Sequence, residues 1–364
     1  MKSIVWVTSG YLLQVDFPIL NQLNKAYRIK WVVDAAENSN QRQHAKEYAQ
    51  QNNIDVEFFC LHQHRYLPTA YFEYAKLVRC LAKLDYGLYY FDIIAFPYLL
   101  FAIKKYLPTN KVIMAMHHGK IHNGMQLRHL YKHYLRYLCK QPFWFQYFSD
   151  TQAHYFTGDL SHRFVIPLAL NDFGKATVKT PTDYVQFLSF GHIIETKNIG
   201  LLIKAACLLK ERCNLPFKVK IVGHCRTWST TYQPLIKYPE IFDLQIESVP
   251  DSDIPNLFCG SHYLVLPYKS VTQSGPLRIA YGYNIPVITS DLDGFRESVI
   301  ENVTGLMFKT EDVESLASVM QQVVEQHPNM YAKLKESQKD YVERNLKVDA
   351  VVDKYRQMFD SINN

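Results

Sequence analysis

The chain has 364 residues, of which 48% are hydrophobic and 20% charged, and its net charge is +6 at neutral pH. This composition excludes an intrinsically disordered chain, and the length predicts two domains. The mild positive charge fits phosphorylated small molecules or an anionic membrane surface, and it is too weak to indicate nucleic acid binding.

The cysteines and the apolar runs indicate the compartment. No apolar run reaches the ~20 residues that span a bilayer, and the N-terminal strand lacks a signal-peptide pattern. The spacing of the cysteines matches no metal site, so we expect free thiols in a reducing compartment. Separately, we expect neither a metal nor a cofactor. The sequence therefore predicts a cytoplasmic protein. The seven cysteines are Cys60, Cys80, Cys139, Cys207, Cys213, Cys225 and Cys259.

Buried strand-like runs alternate with helical segments along the whole chain. Such runs, separated by amphipathic stretches of 10–20 residues, predict parallel sheets covered by helices. In chain order the predicted strands are Ile4–Thr8, Ile29–Asp34, Val56–Leu61, Tyr89–Ala95, Val112–Met116, Trp144–Phe148, Phe164–Pro167, Tyr184–Phe190, Lys218–Gly223, Phe242–Ser248, Tyr263–Leu266, Ile285–Thr289 and Leu306–Phe308.

A polar stretch between Leu168 and Asp183 interrupts this alternation and predicts a linker. It divides the chain into two Rossmann-like α/β domains, residues 1–170 and 171–345, with the expected active cleft between them. Residues 346–364 form a final helix, which with the preceding one is expected to brace the structure.

The first half offers two strand ends as candidate sites. Ser9 and Gly10 follow the first strand, where a ligand can approach the backbone, but the pattern is not GxGxxG and so disfavours a nicotinamide enzyme. His117 and His118 end a central strand. Either histidine can bond a sugar hydroxyl or the reacting oxygens, or be structural, and no further metal ligands accompany them.

A basic amphipathic helix is predicted over Gln126–Lys140. Its cations recur every four residues beside an apolar stripe. Such a helix can lie against anionic lipid headgroups, or it can be a surface helix whose apolar stripe faces the core. The stripe is Leu127, Leu130, Tyr134 and Leu138, and the cations are Arg128, Lys132, Arg136 and Lys140.

The second half begins with a strand that ends at Gly191, ahead of a helix predicted from about Thr196. His192 and Lys197 would then lie at the carboxyl edge of the sheet, where open α/β folds bind ligands. Lys197 can hold a diphosphate as a point charge, with His192 donating a second hydrogen bond. The alternative is a solvated lysine on a first helical turn.

A second helix is predicted to open with Thr272, Gln273, Ser274 and Gly275, with Pro276 in its first turn. Its free N–H groups and the positive end of its dipole would form an anion site, most naturally for phosphate. The alternative is that Ser274 merely caps an ordinary helix.

Two further strand ends complete the candidate set. Gly223 can let a nucleobase approach the backbone, although a lone glycine there is also a common turn. Glu297 follows the strand that ends at Thr289 and can accept hydrogen bonds from sugar hydroxyls, or it acts only in a first helical turn.

Taken in order, these segments resemble the retaining family 4 glycosyltransferases of the GT-B fold, most clearly over Tyr184–Gln326. The resemblance implies that the second domain binds a nucleotide-sugar, that the first binds the acceptor, and that the last helix crosses back to the first domain. The matching segments are Gly191-His-Ile-Ile-Glu-Thr-Lys197, the Val222-Gly223 strand end, Val265-Leu-Pro-Tyr268, Pro286-Val-Ile288, Asp293-Gly-Phe-Arg-Glu297 and Thr304-Gly-Leu306.

Two positions depart from the family pattern. His192 stands where the family has arginine, and the two glutamates of its Glu-x7-Glu pair align with Val271 and Ile279. The first change weakens a diphosphate contact while Lys197 remains, and the second removes the charged contacts to the ribose and the donor sugar. The loop at 272–275 resembles a variant found in bacterial polysaccharide-building members, in which the helix N-terminus still faces the diphosphate.

The resemblance implies transfer of a hexosyl unit from a UDP- or GDP-sugar to a glycan or lipid-linked acceptor, with retention and without a metal. Lys197 and the N–H groups of Ser274, Gly275 and Leu277 would stabilise the leaving diphosphate. The alternatives are a non-catalytic partner subunit, or an epimerase or phosphorylase of the same shape. Peripheral contact with the inner face of the membrane is a further expectation. Acceptor residues are expected in the loops Tyr11–Gln14, His62–Tyr66 and His117–Gly124.

Overall fold

The chain forms two compact units in the computed structural model, which describes residues 2–61, 67–93, 97–117, 119, 128–271 and 274–362, with the backbone alone at 128–131. The first unit is Met1–Ala169 together with Leu346–Asn364, and the second is Leu170–Asn345. Each unit has its own parallel sheet and its own hydrophobic core.

The first unit is built on a sheet of seven parallel strands. They are Ser3–Ser9 (β1), Arg28–Asp34 (β2), Asp55–Phe59 (β3), Leu88–Asp92 (β4), Val112–Met116 (β5), Trp144–Tyr147 (β6) and Arg163–Val165 (β7). Their order across the sheet is β3-β2-β1-β4-β5-β6-β7. The central strands are buried on both faces, which explains why their sequences are continuously apolar.

Helices cover both faces of this sheet. They are Leu13–Ala26 (α1), Asn40–Asn52 (α2), Ala70–Ala82 (α3), Pro97–Tyr106 (α4), Arg128–Cys139 (α5) and Asp150–Ala153 (α6). Because successive strand side chains alternate between faces, Val5 and Val7 pack with α3, α4 and α5, whereas Ile4 and Trp6 pack with α1 and α2.

The last helix, Val348–Ile362 (α14), belongs to the first unit although the second unit precedes it in sequence. Its buried stripe includes Val351, Tyr355 and Phe359, which share a core with α1 and with Trp6 of β1. The rings of Trp6 and Tyr355 lie 5.8 Å apart between centroids. This apolar stripe explains why the chain returns to the first sheet.

The second unit has six parallel strands. They are Val185–Phe190 (β8), Phe217–Val222 (β9), Phe242–Gln245 (β10), Tyr263–Leu266 (β11), Val287–Ser290 (β12) and Gly305–Phe308 (β13), in the order β10-β9-β8-β11-β12-β13. Its helices are Ile199–Arg212 (α7), Trp228–Thr231 (α8), Ile254–Cys259 (α9), Gly275–Gly282 (α10), Asp293–Arg296 (α11), Val313–Glu325 (α12) and Asn329–Asn345 (α13).

The predicted fold class is confirmed, since each of the thirteen predicted strands corresponds to an observed one. Two predicted helix starts were wrong. The helix expected from Thr196 begins at Ile199, because Asn198 adopts a left-handed backbone conformation after a 3-10 turn at Glu195–Lys197. The helix expected from Thr272 begins at Gly275. Among the described residues, no helix combines the length and the apolar character needed to cross a bilayer.

Candidate functional site

In each sheet the chain adds successive strands first toward one edge and then toward the other, and this change occurs at one point. In the first unit this point lies between β1 and β4, and in the second between β8 and β11. Open parallel sheets bind ligands outside the carboxyl ends of the two strands that flank such a point. The candidate site residues are therefore sought where these four strands end.

Two glycines shape this edge in the second unit. Gly191 (φ +108°) follows β8 and Gly223 (φ +152°) follows β9. A Cβ atom at Gly223 would lie 2.0 Å from the Gly191 carbonyl oxygen, and one at Gly191 would lie 3.5 Å from Pro276 Cγ. The missing side chain at Gly223 thus makes room for the protein's own backbone, and its contact with a nucleobase stays a prediction. Gly191 lies against the first turn of α10.

Lys197 lies over an aromatic ring at the same edge. Its Nζ is 3.7 Å from the ring centroid of Tyr268, which follows β11 and is buried. Burial lowers the pKa of Lys197 to about 8. The Lys269 N–H donates to the Thr196 carbonyl at 2.9 Å, which ties the loop after β8 to the loop after β11. Lys197 is therefore a half-buried cation in a fixed position rather than a freely solvated one.

The first turn of α10 is partly capped from within. The Ser274 hydroxyl accepts a hydrogen bond from the Leu277 N–H at 3.4 Å, so that donor, expected to bind phosphate, is already used. No described residue accepts from the Gly275 N–H, and a Cβ atom at Gly275 would have no atom within 4 Å. Burial raises the pKa of Tyr268 to about 12, with the neighbouring Ser274 side chain acting in the opposite direction. Tyr268 thus connects Lys197 with the start of α10.

His192 lies on the exposed side of this edge. Its ring is nearly parallel to that of His224, with 5.8 Å between the centroids. The Ile193 N–H donates to the His224 carbonyl at 3.0 Å, which fixes the loops after β8 and β9 against each other. The two imidazoles provide hydrogen-bonding groups beside Gly191 and Gly223.

Glu297 lies immediately after α11, next to Tyr341 and Arg278. Burial raises the pKa of Tyr341, the charge of Arg278 lowers it, and the charge of Glu297 raises it further. Because both charges act on the tyrosine, the three side chains are neighbours. Burial lowers the pKa of Arg278 to about 10, and its Nε and Nη2 atoms have no hydrogen-bond partner among the described residues. A Cβ atom at Gly294 would lie 2.6 Å from the Val271 carbonyl oxygen, so α11 begins against this loop.

The first unit contributes a histidine that is held by a carboxylate. His117 Nε2 lies 2.6 Å from Asp92 Oδ1 at the ends of β5 and β4. Asp92 is fully buried, whereas the His117 side chain is 16% exposed and stacks on Phe148 with 4.3 Å between ring centroids. The imidazole is therefore fixed in orientation by the carboxylate and the aromatic ring.

A second buried carboxylate lies beneath this pair. Asp16 accepts hydrogen bonds from Trp6 Nε1 at 2.9 Å and Trp31 Nε1 at 3.3 Å. Burial raises the pKa of Asp16 well above its usual value, and the charge of Asp92 adds to this effect. Two carboxyl groups and His117 thus share the carboxyl edge of the first sheet.

Ser9 and Gly10 lie at the end of β1 and are both buried. A Cβ atom at Gly10 would lie 3.1 Å from the Asp34 carbonyl oxygen and 3.2 Å from Gln41 Cβ, so this glycine allows close packing against the end of β2 and the start of α2. His118, Thr272 and Gln273 lie outside the described residues, as do the loop His62–Tyr66 and most of His117–Gly124.

Sequence reasoning missed Tyr268, Asp92, His224 and Arg278 as site residues. Asp92 and Tyr268 each stand at or just after a strand end, which was the available signal. No sequence pattern indicated that Arg278 would be buried. In the described part of the chain, no three His, Cys, Asp or Glu side chains are grouped in a way that would hold a metal ion.

Comparison with known proteins finds a family model that matches most of the second unit. Residues 172–341 match the family described as glycosyl transferases group 1. A search of curated proteins found no match. The matched segment contains Gly191, Lys197, Ser274 and Gly275.

Solved glycosyltransferases share the fold over nearly the whole chain. A glycosyltransferase from Rickettsia africae has a TM-score of 0.78 at 15% identity, over 99% of this chain and 98% of that one. Anabaena HepE, solved with UDP, has a TM-score of 0.75 at 16% identity, over 99% and 100%. The lipopolysaccharide outer core galactosyltransferase WaaB has a TM-score of 0.71 at 13% identity, over 99% of both chains.

Residues 172–341 therefore form a group 1 glycosyltransferase domain, and the whole chain has the GT-B fold of two Rossmann-like units. This confirms the resemblance at the level of the family domain and the fold.

Proposed function

We propose that the protein transfers a hexosyl unit from a UDP- or GDP-sugar to a glycan or lipid-linked acceptor, with retention at the anomeric carbon, in the assembly of a cell-surface polysaccharide. The observation that carries this proposal is the half-buried Lys197 over Tyr268, whose side chain also neighbours Ser274 just before α10. Anabaena HepE was solved with UDP and with UDP-glucose, and WaaB is a lipopolysaccharide galactosyltransferase.

Departure of the nucleoside diphosphate concentrates negative charge on the β-phosphate. We assign the stabilisation of this charge to the Lys197 ammonium, the Gly275 N–H and the positive end of the α10 dipole. These groups are fixed before the reaction, so they need no reorganisation when charge develops. They supply the charge stabilisation for which other phosphate sites use a metal ion.

His117 is the group proposed to act on the acceptor or the donor sugar in the first unit. Its bond to the buried Asp92 sets the orientation of the ring. Val271 and Ile279 provide no carboxylate, so no nucleophile is assigned to α10 or the loop before it. We propose attack by the acceptor on the face from which the diphosphate departs, with a phosphate oxygen taking the proton.

The proposal is tested by a thermal-shift screen against UDP-, GDP-, ADP- and TDP-sugars, followed by measurement of nucleoside diphosphate release. We expect one donor class to raise the melting midpoint by mass action and to be turned over. Binding of no nucleotide-sugar would favour a non-catalytic partner subunit. Release of an epimerised sugar, or cleavage that depends on phosphate, would instead indicate an epimerase or a phosphorylase.

We also propose that the outer face of α3, α4 and α5 contacts anionic lipid. Phe72 is 72% exposed, Phe101 49% and Tyr137 44%, and all three helices bury their opposite sides in one core. Exposed aromatic rings among cations are typical of surfaces that bind headgroups. The exposed cations of these helices and of the turns after α3 and α5 are Lys76, Arg79, Lys83, Lys104, Lys105, Lys132, Arg136 and Lys140.

Co-sedimentation with vesicles of neutral lipid, with and without anionic lipid, tests this contact. We expect binding only when anionic lipid is present, and a loss of binding in the Phe72→Ser/Phe101→Ser double variant. Leu160→Ser is the matched control, since Leu160 is 63% exposed but lies outside these helices. Equal binding of both variants would contradict the proposal.

A further inference from the structure

A cavity of about 400 Å³ opens in the first unit beside the end of β5. This volume lies in the range of small-molecule sites. All of its described lining residues come from the region between β5 and the residues just after α6, so none belongs to the group 1 domain. They are Met116, Gly119, Lys132, Leu135, Arg136, Cys139, Tyr147, His154, Tyr155 and Thr157.

The ionisable side chains of this cavity include two cations and a histidine. Lys132 and Arg136 lie one helical turn apart on α5, and His154 follows α6. None of the described lining residues is an aspartate or glutamate, and no described carboxylate forms an ion pair with Lys132 or Arg136. Two unpaired cations at i and i+4 on one helix can contact the same anion.

The rest of the lining is largely apolar. Met116, Cys139 and Tyr147 are almost fully buried, and Leu135 is half-buried. Apolar surface of this kind favours a hydrocarbon or the apolar face of a ring. The cavity therefore combines an apolar wall with cations in one continuous lining.

The lining of the cavity includes described residues on both sides of His117 in sequence. Met116 and Gly119, which flank His117 and its neighbour in sequence, both line it. The Gly119 N–H donates to Gln152 Oε1 at 2.8 Å, and a Cβ atom at Gly119 would lie 2.0 Å from the Gln152 carbonyl oxygen. A molecule bound in the cavity would lie near the end of β5, close to His117 in sequence.

We propose that this cavity binds the acceptor, and that the acceptor is an anionic amphiphile with a phosphate next to an apolar segment. The assignment of an acceptor rests on the function proposed above. Arg136 can bind a phosphate through two parallel N–H bonds, and Lys132 adds a point charge. The apolar wall binds the adjoining segment, which distinguishes this ligand from a free sugar phosphate.

Calorimetry with three simple probes, in the absence of any nucleotide-sugar, tests the proposal. The probes are decyl phosphate, decyl β-glucoside and glucose 6-phosphate, each below any micelle concentration. We expect decyl phosphate to bind at least tenfold more tightly than either of the others. Equal binding of the neutral glucoside, or of the sugar phosphate without a chain, would overturn the proposed ligand class.

Variants locate the binding. The Lys132→Gln/Arg136→Gln protein should bind decyl phosphate about tenfold more weakly, from a few-fold loss at each exposed cation. The matched control is Lys25→Gln/Lys111→Gln, which removes two exposed cations of the first unit outside both the cavity and the proposed lipid-contact face and should change the affinity less than twofold. An equal loss in both double variants would mean that the probe binds through overall charge and would overturn the site.

A filling substitution tests the cavity independently of charge. Leu135→Trp should abolish decyl phosphate binding while circular dichroism shows a folded protein; retained binding would contradict the site. Because no donor is present, this result is separate from the proposed transfer reaction. A protein that binds decyl phosphate but no nucleotide-sugar would keep the site and refute the transferase proposal, and the converse would refute only the site.

Discussion

Replacement of Lys197 by methionine removes the one charge on which the proposed donor site depends most. Methionine keeps the length and apolar body of the side chain over Tyr268, so the contact with the ring is largely preserved. If the ammonium contributes about 2 kcal/mol to the transition state through contact with the leaving diphosphate, its loss lowers turnover about 30-fold.

The same substitution should leave the fold nearly as stable as before. The fall of the Lys197 pKa from 10.5 to about 8 corresponds to about 3 kcal/mol of lost hydration for a fully buried group. Lys197 keeps some solvent contact, so we expect about half of that cost. A cation–π contribution of about 1 kcal/mol from Tyr268 offsets most of the remainder. The predicted change in unfolding free energy is within about 1 kcal/mol.

The pH dependence gives the assay a second readout. Because the free Lys197 ammonium loses its proton near pH 8, affinity for UDP should fall as pH rises through 8 and approach a tenfold loss near pH 9. The Lys197→Met protein lacks this group and should not show the decline.

Nucleoside diphosphate release and UDP calorimetry between pH 6.5 and 9.5 measure both effects. Lys204→Met is the matched control, since Lys204 is exposed on α7, and it should stay within twofold of wild type. Unchanged turnover in Lys197→Met, or the same pH profile in both proteins, would refute the role assigned to this ammonium.

Three further predictions follow from the geometry. His117→Asn and Asp92→Asn should each lower transfer to an acceptor more than tenfold while leaving UDP affinity within twofold, because both residues lie in the first unit; an equal loss of UDP affinity would contradict this separation. Burial and the nearby His327 lower the pKa of His262 to about 4. The neutral imidazole is therefore favoured in the folded state, and the unfolding free energy should fall by up to about 3 kcal/mol as pH drops from about 6.5 to 4. Urea unfolding of His262→Gln should show a smaller fall, and an equal slope would exclude this histidine as its cause. Gly223→Ala should cost about 2 kcal/mol or more in unfolding free energy, because its Cβ would meet a backbone carbonyl, whereas Gly275→Ala should change it by less than about 0.5 kcal/mol; similar costs at both positions would be inconsistent with the packing described.

The sequence predicted the sheets well because burial on both faces leaves a direct signal. Apolar runs such as Val112–Met116 and Tyr263–Leu266 match the observed strands residue for residue. Their order across each sheet was not predicted individually, since pairing depends on contacts between strands far apart in sequence. The resemblance supplied the return of the final helix, which the pattern of α14 alone did not identify.

The candidate site was predicted less completely because it depends on contacts across loops. Gly191, Lys197 and Ser274 were predicted from their places at strand ends and a helix start. The contact of Lys197 with Tyr268 joins residues 71 positions apart, and no local pattern indicates it. The sequence left open whether Ser274 caps the helix or the first N–H groups stay free for phosphate, because a serine before a helix fits both. In the structure the Ser274 hydroxyl accepts from the Leu277 N–H.

The central claim is that the edge formed by Lys197 and the start of α10 receives a diphosphate. A crystal structure with UDP tests it most directly. We predict β-phosphate oxygens within about 3.2 Å of both the Gly275 nitrogen and Lys197 Nζ. A diphosphate bound elsewhere, or a Lys197 ammonium that stays over Tyr268 without touching phosphate, would contradict the account.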